Sequence, residues 1–316
     1  MRNISQKLHR IGLSALLAIC AASGLTPAPA IAQAPAGCGS GPTETWISAC
    51  GAIIDDPQAS VPSRVQALLY RGTAFRQRGD AERALVDYAE ATKVDPSNAG
   101  AWLDRGAVLM DKGDLAEAIA SFDRTIALNP RSIEGYNNRG AALSQTGDFA
   151  RAAADLDMAL QLGPGTEAAY GNRGFVRLAL GDFAGAAADF GTLLARDPDD
   201  PYRILWRQLA RMRAGLVDDD FAAKAAALAA APWPGPVLAL YAGKLDRVRV
   251  LAMDADVAGD ERTERRCEIA FYVGEHALAT GDQAGAASLV REAATSCPVG
   301  FLERAAAIGE LTRLQR

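Results

Sequence analysis

A 34-residue recurrence runs through residues 63–232 and constrains the fold more than any other feature of the chain. The pair Arg-Gly stands at 71–72, 105–106, 139–140 and 173–174. The pair Gly-Asp stands at 79–80, 113–114, 147–148 and 181–182, and proline returns at 62, 96, 130, 164 and 198. A unit this short cannot bury its apolar face alone, whereas stacked copies build a continuous core. The units should be helical. Hydrophobic residues make up 49 % of the chain and aromatics only 6 %, and alanine supplies much of the difference. Alanine loses no side-chain entropy in a helix.

The landmarks inside each unit specify a helix pair. Leu68, Trp102, Tyr136 and Tyr170 sit near the start of each first helix (helix A), followed four residues later by Gly72, Gly106, Gly140 and Gly174. Each second helix (helix B) holds a small residue, Ala84, Ala118, Ala152 or Ala186, and then Tyr88, Phe122, Leu156 or Phe190. Glycine lets the two helices approach, and the bulky residue of helix B fills the space around it. Gly79 and its equivalents can take positive φ and end helix A, while Asp80 and its equivalents cap helix B. Proline falls between units, where its missing N–H does no harm. Arg71, Arg139 and Arg173 precede Asp87, Asp155 and Asp189 by sixteen residues, which predicts ion pairs across each hairpin. In the second unit Ser121 replaces the aspartate and leaves Arg105 to Asp123 or solvent.

With four tandem copies, the chain resembles the tetratricopeptide-repeat (TPR) family. The resemblance implies an all-α, right-handed superhelical solenoid of antiparallel helix pairs. Gly215 and Pro232 keep the phase, so 201–232 reads as a fifth, degenerate repeat. Residues 233–263 read as a proline-rich turn with a helical insert. Residues 264–316 read as a C-terminal TPR with a capping helix at about 300–315. Residues 33–62 should hold an N-terminal helix at 42–56, packed on the first repeat.

The first 32 residues have the layout of a secretory signal peptide. Arg2, Lys7 and Arg10 precede an apolar run from Ile11 to about Leu25, then Pro27, Pro29 and the small-x-small site Ala30-Ile31-Ala32. Leu17-Ala18-Ile19-Cys20 is a poor lipobox because Ile19 is bulky, so a soluble product is favoured over a lipoprotein. Beyond residue 32 stand 30 basic against 38 acidic residues, a balance that argues against nucleic acid or an anionic membrane as main partner. Four cysteines remain, Cys38, Cys50, Cys267 and Cys297. An even number in an oxidising compartment reads as two disulfides. Of the three pairings, the local ones, Cys38–Cys50 and Cys267–Cys297, are favoured. Cys267 is expected to begin and Cys297 to end the last hairpin.

Little in the sequence suggests chemistry. His276 is the one histidine past the leader and reads as a packing or surface residue. There is no second histidine to build a metal cluster, and no P-loop, nucleophile elbow or dinucleotide fingerprint. Asp218-Asp219-Asp220 lacks spaced ligands and reads as a solvated turn. Trp233 and Tyr241 read as core anchors. Neither enzyme activity, a cofactor nor a metal is expected.

Near the C-terminus the order Trp233-Pro-Gly-Pro, Leu240-Tyr-Ala-Gly243, Cys267-Glu-Ile-Ala-Phe-Tyr-Val-Gly274, Leu278-Ala-Thr-Gly-Asp282, Cys297-Pro298 and Glu310-Leu-Thr-Arg-Leu314 is narrower. It resembles the new-lipoprotein-I (NlpI) type of bacterial TPR proteins. That resemblance implies a periplasmic adaptor, associated with the outer membrane, that brings peptidoglycan hydrolases and a periplasmic protease together. The alternative is a TPR subunit of an outer-membrane assembly or secretion complex. A homodimer through residues 42–56 stays open. The face expected to bind partners is concave and lined by helix A, with Gln66, Leu69, Thr73, Arg76, Leu103, Met110, Asn137, Ser144, Gln145, Phe175 and Leu178. The Lys/Asn clamp that holds a C-terminal carboxylate in some TPRs is replaced by Leu69/Thr73, Leu103/Ala107 and Asn137/Ala141.

Overall fold

The computed structural model describes residues 38–315 except 218, 219, 229 and 256. The segment read as a signal peptide and part of the triple-aspartate run therefore lie outside the described residues. Sixteen helices and no strand are present among the described residues. They fall into two compact units divided between Arg139 and Gly140.

The first unit holds α1 (Thr43–Asp55), α2 (Val61–Gln77), α3 (Ala81–Val94), α4 (Ala99–Lys112), α5 (Leu115–Leu128) and the first half of α6 (Ile133–Thr146). α1 lies on α2 as expected, and the Cys38–Cys50 disulfide pins the entering chain to it. Cys38, Cys50, Ile53 and Ala67 share one buried cluster. The hairpins α2–α3 and α4–α5 show how the repeat closes. At Gly106 a Cβ would come within 2.6 Å of the Phe122 ring. The ring packs directly on the backbone of helix A, so no other residue fits there without moving it. Gly113, at φ 84°, ends α4 through its N–H to the carbonyls of Leu109 and Met110. In the first hairpin Asp80 accepts the Arg83 N–H and caps α3.

The second unit holds the rest of α6, then α7 (Phe149–Leu162), α8 (Glu167–Leu180), α9 (Phe183–Leu194), α10 (Pro201–Arg213) and α11 (Phe221–Leu228). It adds α12 (Gly235–Tyr241), α13 (Arg247–Leu251), α14 (Gly259–Ala279), α15 (Gln283–Ser296) and α16 (Leu302–Leu314). α10 and α11 occupy the stretch read as a degenerate fifth repeat, and α10 packs chiefly on α9. The last hairpin, α14–α15, begins earlier than the repeat phase predicts. Gly259–Arg266 is polar, rich in helix formers and acidic in its first turn, so the helix extends back through it. Cys267 consequently sits inside α14 rather than at its start, while Cys297 caps α15 as expected. The two are disulfide-bonded with Cα atoms 4.9 Å apart. Both local pairings are therefore the ones present.

The arginine–aspartate ladder runs in two directions. Arg71 makes a bidentate contact to Asp87 at 2.9 and 2.7 Å, and Arg173 one to Asp189 at 3.0 and 2.6 Å. Arg139 also reaches back sixteen residues to Asp123 at 2.7 Å, and Arg173 to Asp157 at 2.7 Å. Asp55 acts on Arg71 from the same offset. Arg105 does not reach Asp123, contrary to expectation. Asp123 faces the next arginine along the array, and Arg105 bonds Ser121 at 2.6 Å and Glu117 at 3.1 Å. Asp189, 2 % exposed, also accepts Arg177 at 2.8 Å. Asp189→Ala leaves two guanidinium groups around an emptied buried acceptor and is expected to cost about 3 kcal/mol. Asp157→Ala, at an exposed pair, should cost less than about 1 kcal/mol. Urea denaturation of the two variants checks the contrast.

Candidate functional site

Helices A of the first two repeats, α2 and α4, present one continuous strip in the first unit. Gln66, Leu69, Thr73 and Arg76 come from α2, and Leu103 and Met110 from α4; all six are half-buried. Leu69 is held from beneath by the clusters around Leu68 and Phe75. The Thr73 hydroxyl bonds the Leu69 carbonyl at 2.9 Å and pairs with the Tyr88 hydroxyl, which rises from α3, at 3.1 Å. Arg76 lies 3.6 Å from Asp111 of α4. Asn137 is buried and donates to Asn138 at 3.1 Å.

Two residues on this strip were missed by the sequence reading, Asp104 and Asp111. They stand one residue after Leu103 and Met110, and helical spacing alone could have found them. Asp104 faces the Tyr88 and Arg76 side. Burial raises its carboxyl to about 6, and the Arg76 charge only partly offsets this. Burial is also what raises the Tyr88 phenol.

In the second unit the same face of the repeat is closed by the chain itself. α16 packs on α15, as a capping helix would, and also along α8. Phe175 and Leu178 of α8 are 1 % and 3 % exposed. The Phe175 ring meets Phe190 at 5.3 Å and Trp206 at 5.1 Å, both edge-on, and tilts towards Phe271. Gln145 donates to the Phe301 carbonyl at 3.0 Å just before α16, and Ser144 bonds back to the Ala141 carbonyl. Arg313 reaches the Ala179 carbonyl and Glu310. Ser144, Gln145, Phe175 and Leu178 are therefore packing residues rather than a free binding surface. The reason is that the rings of Phe190, Trp206 and Phe271 enclose Phe175, and that α16, more than a hundred residues downstream, lies along α8 with Phe301 bonded by Gln145.

Beneath α16 runs a buried polar network. Glu268 accepts from the Tyr202 hydroxyl at 3.0 Å and from the Trp233 indole. Trp206 donates to the Tyr272 hydroxyl at 2.7 Å, which donates to Glu303 at 2.8 Å, and Tyr241 donates to the Tyr272 carbonyl at 2.9 Å. Trp233 and Tyr241 are thus anchors of the unit, as their positions beside proline suggest. Burial, reinforced by Glu303, pushes the Glu268 carboxyl up to about 8. His276 stacks edge-on against Tyr241 at 5.2 Å, and burial lowers its pKa. Among the described residues no three His, Cys, Asp or Glu side chains form a metal-sized group, and no helix is long and apolar enough to cross a membrane.

Residues 69–133 and 103–167 match the tetratricopeptide repeat family. No curated protein matches the chain. Among solved structures, a tetratricopeptide repeat protein from Parabacteroides merdae aligns over 87 % of this chain and 93 % of its own, with 16 % identity and a TM-score of 0.51. YrrB, described as a TPR protein with an unusual peptide-binding site, aligns over 63 % of this chain and all of its own (100 %), with 20 % identity and a TM-score of 0.52. Residues 69–167 thus match tetratricopeptide repeats, and the described helices of the chain have the all-α fold of such repeat proteins.

Proposed function

We propose that the chain is a non-catalytic scaffold that binds other proteins in the periplasm and acts as an adaptor for envelope or peptidoglycan-maintenance enzymes. The observation that carries the binding role is the half-buried, mixed strip of α2 and α4. Leu69, Leu103 and Met110 offer apolar contact there, and Thr73, Arg76 and Asp104 offer polar contact. Such a strip suits an extended or helical segment of a partner. Two disulfides in one chain support an oxidising compartment. The partner class, murein hydrolases and a periplasmic protease, follows from the resemblance of the C-terminal motifs to the NlpI type.

Crosslinking in cells, followed by purification and mass spectrometry, tests this. Hydrolases or a periplasmic protease among the trapped proteins support the adaptor role. Outer-membrane assembly or secretion subunits would replace it with the alternative and leave the scaffold reading intact. The combined variant Leu69→Ser, Leu103→Ser, Met110→Ser should weaken capture of the trapped partner by at least about tenfold. Unchanged capture by a folded triple variant would remove the strip from the proposal.

A further inference from the structure

The strip on α2 and α4 carries a carboxylate that its own neighbours leave without a mate. Among the described residues no hydrogen-bond donor or cation contacts Asp104. The other acids of these hairpins are engaged: Asp87 by Arg71, Asp80 by Arg83, Glu82 by Lys112 and Glu117 by Arg105. Arg76, the cation that acts on Asp104, is drawn instead to Asp111. Its Nη2 is buried without an acceptor among the described residues. The surface around the two is apolar, with Leu69, Leu103 and Met110 half-buried. A partly desolvated charge costs free energy unless an opposite charge joins it. The chain as a whole is acidic, at net −5, so its long-range field draws cationic segments.

We propose that Asp104 anchors a lysine or arginine side chain of a partner segment lying along α2 and α4, so that the scaffold selects basic, apolar segments. This rests on the use of that strip for binding, as set out above. Leu69, Leu103 and Met110 receive the apolar side chains of the same segment. The recognition is opposite in sign to a carboxylate clamp: an acid of the scaffold holds a base of the ligand.

The pH dependence follows from the same geometry. The charged or titratable groups facing Asp104 are Arg76 of α2 and Tyr88 of α3. Free Asp104 holds its proton up to about 6. A bound cation favours the ionised form, so affinity rises as pH rises through that value and falls below it.

Short random peptides displayed on phage are selected against the full-length chain and its D104N variant. Enrichment of a lysine or arginine at a fixed position on the native chain, lost on D104N, is the expected result. One enriched peptide is then titrated from about pH 5 to about pH 7.5, with its basic residue intact or replaced by norleucine. The intact peptide should bind about tenfold or more tightly than the norleucine form near neutral pH, and lose that advantage at the acid end. D104N should flatten the profile, and it should melt no lower than the native chain because it removes a desolvated charge. Peptides enriched equally on both proteins, but lost on the Leu69→Ser, Leu103→Ser, Met110→Ser variant, would overturn the anchor and keep the strip. Peptides indifferent to both variants, or no enrichment at all, would overturn both.

Discussion

Gly309→Leu is expected to detach the C-terminal helix from the second unit while the hairpins of the first remain folded. Gly309 is buried at the point where α16 meets α8, and a Cβ there would stand 2.5 Å from the Cα, the Cβ and the carbonyl oxygen of Ala179. Those are backbone and near-backbone atoms, which cannot swing aside as the end of a long side chain can. Even Gly309→Ala should cost about 1–3 kcal/mol by overpacking, and the leucine more. Its consequences spread because Ala305, Ala306 and Ala307 of the same helix are buried as well, 2 % exposed or less. Loss of α16 uncovers the side of α8 it packs along and breaks the contacts of Gln145 with Phe301 and of Arg213 with Glu310, the latter at 2.9 Å. Limited trypsin digestion should cut at Arg304 and Arg313 in the variant well before the native chain is cut. Gly191→Ala in α9 is the control. Nothing lies within 4 Å of its Cβ position, so relief of glycine's backbone entropy should leave it neutral or up to about 1 kcal/mol more stable. Equal protease resistance in G309L and native protein would show that α16 docks by some other contact.

The second large effect is a loss of stability as pH rises. Glu268 is 4 % exposed, and its folded carboxyl is raised to about 8 against an ordinary value of 4.5. A raised folded value means a contribution fully present below about 4.5 and lost as pH climbs through about 8. The protonated acid sits among Tyr202, Trp233 and the nearby Glu303 charge without penalty, whereas the ionised one must be desolvated beside a like charge. Burial raises Glu275 in the same direction, offset by Arg213. His276 acts oppositely, because its lowered value adds stability above its ordinary pKa and withdraws it below. The clean window is therefore from about pH 6.5 to 8, where one bound proton in excess gives a slope of about 1.4 kcal/mol per pH unit. Glu268→Gln keeps an acceptor for Tyr202 and Trp233 but cannot ionise. It should flatten that slope and be the more stable protein at pH 8. Denaturant midpoints of both proteins across the window check this, and parallel slopes would show that Glu268 does not carry the proton.

The Arg–Gly and Gly–Asp pairs fixed the helix pairs of residues 63–200, because close packing against glycine and a positive φ at the helix end are local demands. Local spacing also reached the disulfides and the N-terminal helix. It reached the Arg71–Asp87 and Arg173–Asp189 pairs, because sixteen residues is one antiparallel return. It missed the backward contacts of Arg139 to Asp123 and of Arg173 to Asp157, which obey the same offset but join adjacent repeats. It also missed the early start of α14, where polar helix formers carry no periodic apolar signal.

For the candidate site, repeat phase put Gln66, Leu69, Thr73, Arg76, Leu103 and Met110 on one face, and helical spacing could have added Asp104 and Asp111. The same phase put Phe175 and Leu178 on the equivalent face, and there it failed. Whether a face is open depends on what else in the chain covers it. The segment that covers α8 lies more than a hundred residues away, with an apolar pattern equally suited to capping the last hairpin alone. The sequence by itself determined the helix pairs, the caps, the cysteine pairing and the face each helix turns to its neighbours, because each is set by contacts within one or two hairpins. The tertiary structure alone decided that α16 lies on α8, that Glu268 is buried beside Glu303, and that Asp104 has no partner among the described residues, because each depends on where other segments come to rest.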